Sequence, residues 1–214
     1  MTKKIIIKQA QEKTLFVKSL ESSEIILEKD ANLTFVALLK KGWDKSKKLN
    51  FTFKGKNSSL TFIAIIIAKK SDSFDFETTS NHIVPHTKSF YQIRSVLFDK
   101  AQINYKGKLM ISKSAQHTDA HLAHDDLSFS KDSRLQTLPS LEIEANEVKA
   151  GHCATVGKID KEQLFYMASR GLDKKTSEKI LTESFLKKDL EKIADEKIKQ
   201  FVIKELEALK GKPC

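Results

Sequence analysis

Up to about residue 157 the apolar residues arrive in short bursts between polar segments, and this spacing restricts the fold more than any other feature of the chain. Ile5-Ile6-Ile7, Leu15-Phe16-Val17 and Ile25-Ile26-Leu27 begin ten residues apart, and Leu33 to Leu39, Leu49 to Phe53 and Leu60 to Ala68 continue the series. Short runs rich in Ile, Val, Phe and Thr, set between segments such as Glu21-Ser22-Ser23 and Lys54 to Ser59, read as strands and turns. No stripe of period 3.6 persists long enough for a helix. This spacing suits a sandwich, a barrel or a β-solenoid whose rungs each hold two or more strands, and it does not choose among them. Seven glycines and three prolines argue against a fold full of tight hairpins.

After Thr155 the period changes. Asp160 followed by Gln163 resembles a capping box, Leu164, Phe165, Met167 and Ala168 supply an apolar face, and Gly171 suits the position just past the helix end. Asp173 can cap a second helix, running to about Leu186 with Ile180, Leu181 and Phe185 on one side. Asp189 can cap a third, carrying Leu190, Ile193, Ile198, Phe201, Val202, Leu206 and Leu209, with Lys210-Gly211-Lys212-Pro213 as its stop. The expected layout is a β-rich body over 1–157 and a helical segment over 158–214. An apolar stripe on such a tail must cover either its own body or a partner's surface.

The 40% hydrophobic content of the 214 residues supports a packed core and excludes a disordered chain. The longest apolar run, Phe62 to Ala68, is far short of the roughly 20 residues of a membrane span, and Met1-Thr2-Lys3-Lys4 leads into only three isoleucines; a cytoplasmic protein is expected. Cys153 and Cys214 cannot make a disulfide framework and are expected to be reduced thiols. The net charge of +10 is concentrated at the start, with +9 over residues 1–70, −2 over 71–157 and +3 over 158–214. A basic first third could hold nucleic acid or another polyanion. Its lysines, however, are scattered among apolar triplets, and Trp43 and the phenylalanines are not interleaved with them as base-stacking platforms, so a solvated lysine surface is the plainer expectation.

None of G-x-S-x-G, a P-loop, G-x-G-x-x-G, H-E-x-x-H or C-x-x-C occurs, so a nucleophile elbow, a nucleotide on this chain and a Cys-based zinc site are all unsupported. A β-helix hydrolase or lyase would need acidic groups gathered in one groove, and nothing brings Asp119, Asp125 and Asp126 together. His117, His121 and His124 would share one face of a helix, but their surroundings read as turn and strand, where His117 and His121 share a face and His124 points away. His152-Cys153 is the sharper pair, because imidazole and thiolate are ligands for iron, zinc and iron–sulfur clusters. Neighbours on a strand point to opposite faces, so both can bind one centre only if the backbone turns there.

The segment from His82 to about Leu190 resembles the SufB/SufD family, the scaffold subunits of the Suf iron–sulfur cluster assembly system. The resemblance rests on ordered blocks: Phe98-Asp99, Gly107-Lys108-Leu109, the run Ala115 to His121, the run Pro139 to Lys149, then Ala150-Gly151-His152-Cys153-Ala154-Thr155-Val156-Gly157, and Leu164 to Leu172. It implies a right-handed parallel β-helix followed by helices. Within the family the chain is similar to the SufD side, whose members read Cys-Ser-His-Gly-Ala-Thr-Val-Gly where this chain reads Ala150 to Gly157. His152 then inherits the role of a cluster-assembly residue at the SufB–SufD interface. The family's cysteine position is Ala150, with the thiol displaced to Cys153, and the cysteine that SufB-like members carry just before the following strand is Asp125 here.

The resemblance further implies a non-catalytic scaffold subunit, a short form that enters strand patterning by Ile5, working with a SufB-like subunit or a second copy of itself. A transient iron–sulfur cluster at the scaffold interface, with His152 and Cys153 as candidate ligands, is the implied cargo. The helical tail, through Leu164, Phe165, Tyr166, Ile180 and Phe185, is implied to dock a SufC-like ABC-type ATPase. Neither a membrane nor nucleic acid is an expected partner.

Overall fold

The computed structural model describes residues 2–208; Leu209, the stop at 210–213 and Cys214 lie outside the described residues. Twelve strands follow one another: β1 (Lys3–Ile7), β2 (Glu12–Val17), β3 (Ser23–Leu27), β4 (Asn32–Leu39), β5 (Lys47–Phe53), β6 (Ser59–Ala68), β7 (Ser73–His82), β8 (Lys88–Leu97), β9 (Gln102–Ile111), β10 (Asp119–Ser128), β11 (Arg134–Ile143) and β12 (Lys149–Gly157). The odd strands form one six-stranded sheet and the even strands another, both in sequential order. All neighbours are parallel. The body is therefore a parallel β-solenoid in which each coil contributes one strand to each sheet.

The ten-residue spacing of the first bursts is half of one coil: Glu12 is in register with Asn32, 20 residues on. Later coils are longer, with Asn32 aligned to Ser59, Ser59 to Lys88 and Lys88 to Asp119. The strands lengthen from five or six residues to ten as the coils widen.

Inward-facing side chains from both sheets make the main core, which includes Ile25, Phe35, Phe51, Phe62, Phe74, Tyr91 and Ile103. Leu60 to Ala68 reads as an unbroken apolar run because β6 is covered on both sides. Phe62, Ala64 and Ile66 face the interior, whereas Ile63, Ile65 and Ile67 belong to a second core on the outside of the even sheet. In its middle coils the interior becomes polar, and its tyrosines and His82 are hydrogen-bonded. Tyr105 bonds Thr78 at 2.6 Å, Tyr91 bonds Ser80, and His82 lies between Thr87 (2.7 Å) and Ser89 (3.0 Å), stacked on Phe53. Burial pushes the His82 pKa down to about 3 and the Tyr91 hydroxyl well above its ordinary range.

The second core is closed by the helical tail, comprising α1 (Lys161–Ser169), α2 (Lys174–Lys187), a single 3-10 turn (Leu190–Lys192) and α3 (Glu196–Glu207). Leu186, Leu190, Ile193, Val202 and Leu206 pack on Val36, Leu38, Ile63, Ile65 and Val96. The tail thus covers its own body, and α3 reaches the first two coils, where Phe201 meets Phe16 edge-on and Lys40 pairs with Glu205. Asp160 and Asp173 cap the first two helices as the sequence suggests, and Gly171 takes φ +85° past the end of α1.

The third helix starts later than expected. Its cap is Asp195, which accepts from the Ile198 amide, while Asp189 precedes only the 3-10 turn and makes no side-chain cap bond. The Asp189 carboxylate is engaged elsewhere, by Arg94 from β8 and by Lys192, and Ile193 is extended, which ends that turn.

Candidate functional site

β11 and β12 are the last strands of their sheets, each paired on one side only, so the final coil presents two open edges and an open interior. The alternation of the earlier coils sets its parity. Ile143 aligns with buried Ile111 and Leu141 with buried Leu109, and Val156 shares the inward face of β12, yet these three stay exposed because no further coil covers them.

His152 and Cys153 lie side by side in β12. The strand keeps unbroken parallel register with β10 from Lys149 to Gly157, so the backbone does not turn at the pair. His152 aligns with buried Leu122 and faces the solenoid mouth; Cys153 aligns with Ala123 and faces outward as a free, exposed thiol. The structure therefore separates the two candidate ligands onto opposite faces. Ala150, aligned with Ala120 and packed against the main core, shares the inward face with His152. A cysteine at position 150 would stand two residues from His152 on the same side; in this chain the thiol is on the other.

The other histidines do not form a cluster. His117 sits in the corner before β10, His121 is exposed and bonds Asp119 at 2.9 Å, and His124 is fully buried. Inside the fifth coil, beneath the open one, the His124 Nε2 lies 2.9 Å from Asp126, Thr137 bonds the Nδ1 at 3.1 Å, and Ser95 donates to Asp126. Among the described residues no group of three or more His, Cys, Asp or Glu side chains is placed to hold a metal ion.

Asp125, on the outward face of β10, accepts from Gln92 (3.1 Å), Thr155 (2.6 Å) and Arg94 (3.1 Å). Arg94 is buried and also donates through Nε and Nη2 to Asp189 of the tail, while the Phe185 ring covers its guanidinium. Burial alone would raise the Asp189 pKa, but the bonds from Lys192 and Arg94 outweigh it and hold the carboxyl below its usual range. This fastening of tail to body is absent from the sequence reading. Its one local signal is an arginine at an outward position of β8, set close to Ile93, Val96 and Leu97.

Of the tail residues singled out for docking, Phe165 is 77% exposed, Tyr166 60% and Ile180 43%. Leu164 is half-buried, and α1 buries no residue at all. Phe185 is used internally, against the second core. Several lysines of the basic first third are likewise engaged within the chain: Lys18 lies over Phe201, Lys48 pairs with Glu77 and Lys69 lies over Phe98. No described helix is long and apolar enough to cross a membrane.

Comparison with known proteins agrees with this architecture. The signature described as "SUF system FeS cluster assembly, SufBD core domain" matches residues 4–185. The chain is 28% identical over 181 residues to the iron–sulfur cluster assembly protein SufD of Escherichia coli, an overlap covering 85% of this chain and 43% of that protein. It is 28% identical over 145 residues to a SufBD family protein of Synechocystis (68% of this chain, 32% of that one), and 32% identical over 100 residues to one from Pyrococcus horikoshii (47% and 22%). The chain thus spans less than half the length of each of these relatives. With the core-domain signature running through eleven complete strands and on into the tail, the chain belongs to the SufB/SufD family.

Proposed function

We propose that this chain is a SufD-like scaffold subunit of a Suf iron–sulfur cluster assembly complex, without catalytic chemistry of its own. The observation that carries the proposal is the open last coil. It sets His152 at the mouth of the solenoid among inward-facing but exposed Leu141, Ile143 and Val156, beside two unpaired strand edges. A SufB-like subunit, or a second copy of this chain, seated there would pair those edges, bury the apolar groups and enclose His152. His152 then acts as a transient ligand or hydrogen-bond donor to the cluster, which is the complex's cargo. With Ala150 where SufD-like members carry a thiol and Cys153 facing away, the sulfur ligands come from the partner.

The second contact is α1, which buries none of its residues and exposes Phe165 and Tyr166, with Ile180 of α2 as a further exposed apolar group. A SufC-like ABC-type ATPase docked there would supply the nucleotide cycle that moves the scaffold subunits. The test is co-expression of this chain with a SufC-like ATPase and a SufB-like subunit, followed by affinity capture and a high-salt wash. Co-purification is expected, and it should be lost for the ATPase alone in a Phe165→Ala/Tyr166→Ala variant. His152→Ala should keep the complex but abolish cluster maturation; full maturation with that variant removes His152 from the mechanism.

A further inference from the structure

The two open edges of the last coil differ in what they offer a partner, and the hydrogen bonds show how. In a parallel strand both backbone groups of one residue point to one side and those of the next residue to the other. Along β11 the Arg134 amide bonds Ala101 O at 3.0 Å and the Glu144 amide bonds Ile111 O at 2.9 Å, so even-numbered residues face β9 and odd-numbered ones the open edge. Pro139 is among the latter, and it leaves that edge without a donor in mid-strand. Along β12 the Lys149 amide bonds Thr118 O at 2.9 Å, so Ala150, His152, Ala154 and Val156 turn their N–H and C=O groups to the open edge without a break. At the other end of the solenoid the open strands carry charges, Lys3 and Lys4 in β1, Glu12 and Lys13 in β2. Charge and proline deter strand addition, and beyond Lys149 β12 has neither.

This edge is also complementary to itself. Two copies of β12 set antiparallel about a two-fold axis at Cys153 bring all the edge-facing residues into hydrogen-bonded pairs, Ala150 with Val156 and His152 with Ala154. Each pair sets a large side chain against a small one, and on the outward face Thr155 meets Gly151 and Lys149 meets Gly157 in the same way. Moving the axis one residue either way puts Val156 or Ala150 beyond the end of the facing strand and sets His152 or Ala154 against itself. We infer that this chain pairs with a second copy of itself through β12 in the register centred on Cys153. The inference rests on the reading of the last coil as the docking end of a scaffold subunit. It adds which edge is used and in what register, and it makes self-pairing and capture of a SufB-like subunit rival uses of one strand. Cys153 then faces its own counterpart in a non-hydrogen-bonded pair, where Cα atoms stand about 4.5 Å apart, within the span a disulfide accepts.

The test is a cross-linking scan on the full chain carrying Cys214→Ser, which leaves Cys153 as its one thiol. Diamide, an azo oxidant, takes up the two electrons and two protons that a pair of thiols gives up as the S–S bond forms. A covalent dimer reversed by dithiothreitol is expected, forming roughly tenfold faster or more than with Gly151→Cys or Thr155→Cys alone in a Cys153→Ser background. A mixture of those two variants should recover the fast rate, because the register sets residue 151 opposite residue 155. Ala154→Pro removes a donor that points to the open edge; it should keep native circular dichroism yet abolish the dimer seen by sedimentation under reducing conditions. Similar rates at all three positions, or a dimer that survives Ala154→Pro, overturns the inference. A chain that stays monomeric yet captures the SufB-like subunit overturns self-pairing and leaves the scaffold reading standing; a dimer in this register that captures none does the reverse.

Discussion

Acid should weaken this fold through one buried imidazole. His82 is fully enclosed, bonded to Thr87 and Ser89 and stacked on Phe53 with ring centroids 4.0 Å apart, so its ring can be held only in the neutral form. Burial lowers its pKa from 6.5 to about 3. Between those values the unfolded chain binds a proton that the folded chain refuses, so stability is complete above the unfolded pKa and is lost as pH falls toward the folded one. At ~1.36 kcal/mol per pH unit the loss relative to pH 7 is about 2 kcal/mol at pH 5 and about 3 kcal/mol at pH 4, approaching a ceiling of about 5. Those figures are comparable with the whole stability of an ordinary domain. Urea denaturation at pH 7, 5.5, 5 and 4 should therefore be run on the native chain and on His82→Gln, which keeps polar atoms near Thr87 and Ser89 but does not titrate. The variant should start less stable at pH 7 and lose about 2 kcal/mol less between pH 7 and pH 5. Parallel pH profiles for the two proteins would refute the reasoning, because every other titrating group is common to both.

Four further outcomes are expected. Asp189→Ala leaves buried Arg94 with Asp125 as its remaining carboxylate and should cost about 2–3 kcal/mol in urea, with less loss where Arg94 has already been replaced by Met. Gly107→Ala should cost about 1–3 kcal/mol, because the new methyl would stand 2.4 Å from Leu122 Cδ1 and 2.6 Å from the Tyr105 hydroxyl. Gly151→Ala, whose nearest contact would be His121 Nδ1 at 3.6 Å, should stay within about 0.5 kcal/mol of the native chain by the same assay. Leu141→Lys with Val156→Lys should abolish capture of the SufB-like subunit, or self-association, while the thermal midpoint of the isolated chain hardly moves.

The strands were legible because each burst has to bury one face whatever the topology, and β6 looked continuous because it buries two. The choice of a solenoid was not available from spacing: a ten-residue interval describes half a coil as well as one arm of a sandwich, and the later coils lengthen. The family resemblance supplied it. Asp189 and Asp195 are equally good caps in local sequence, and only Arg94, nearly a hundred residues earlier, settles which one is free to cap. His152 and Cys153 were recognisable as a pair, and strand parity already warned that they diverge; unbroken register with β10 shows that they do. The exposure of Leu141, Ile143 and Val156 could not be read locally, since on an inner coil the same positions are core.

A stacked solenoid is held together by contacts between neighbours, so its cohesion is approximately a chain of pairwise terms. A middle coil is gripped from both sides; the coil of β11 and β12 is gripped from one. The segment carrying His152 therefore opens at lower cost than the middle coils, and amide exchange should be faster across residues 149–157 than across β6 and β8. A subunit seated on that end would supply the missing neighbour. Rigidity around His152 would then be a property of the assembled pair rather than of either chain alone, and the residue would be fixed in place only when a partner is present to share the cluster.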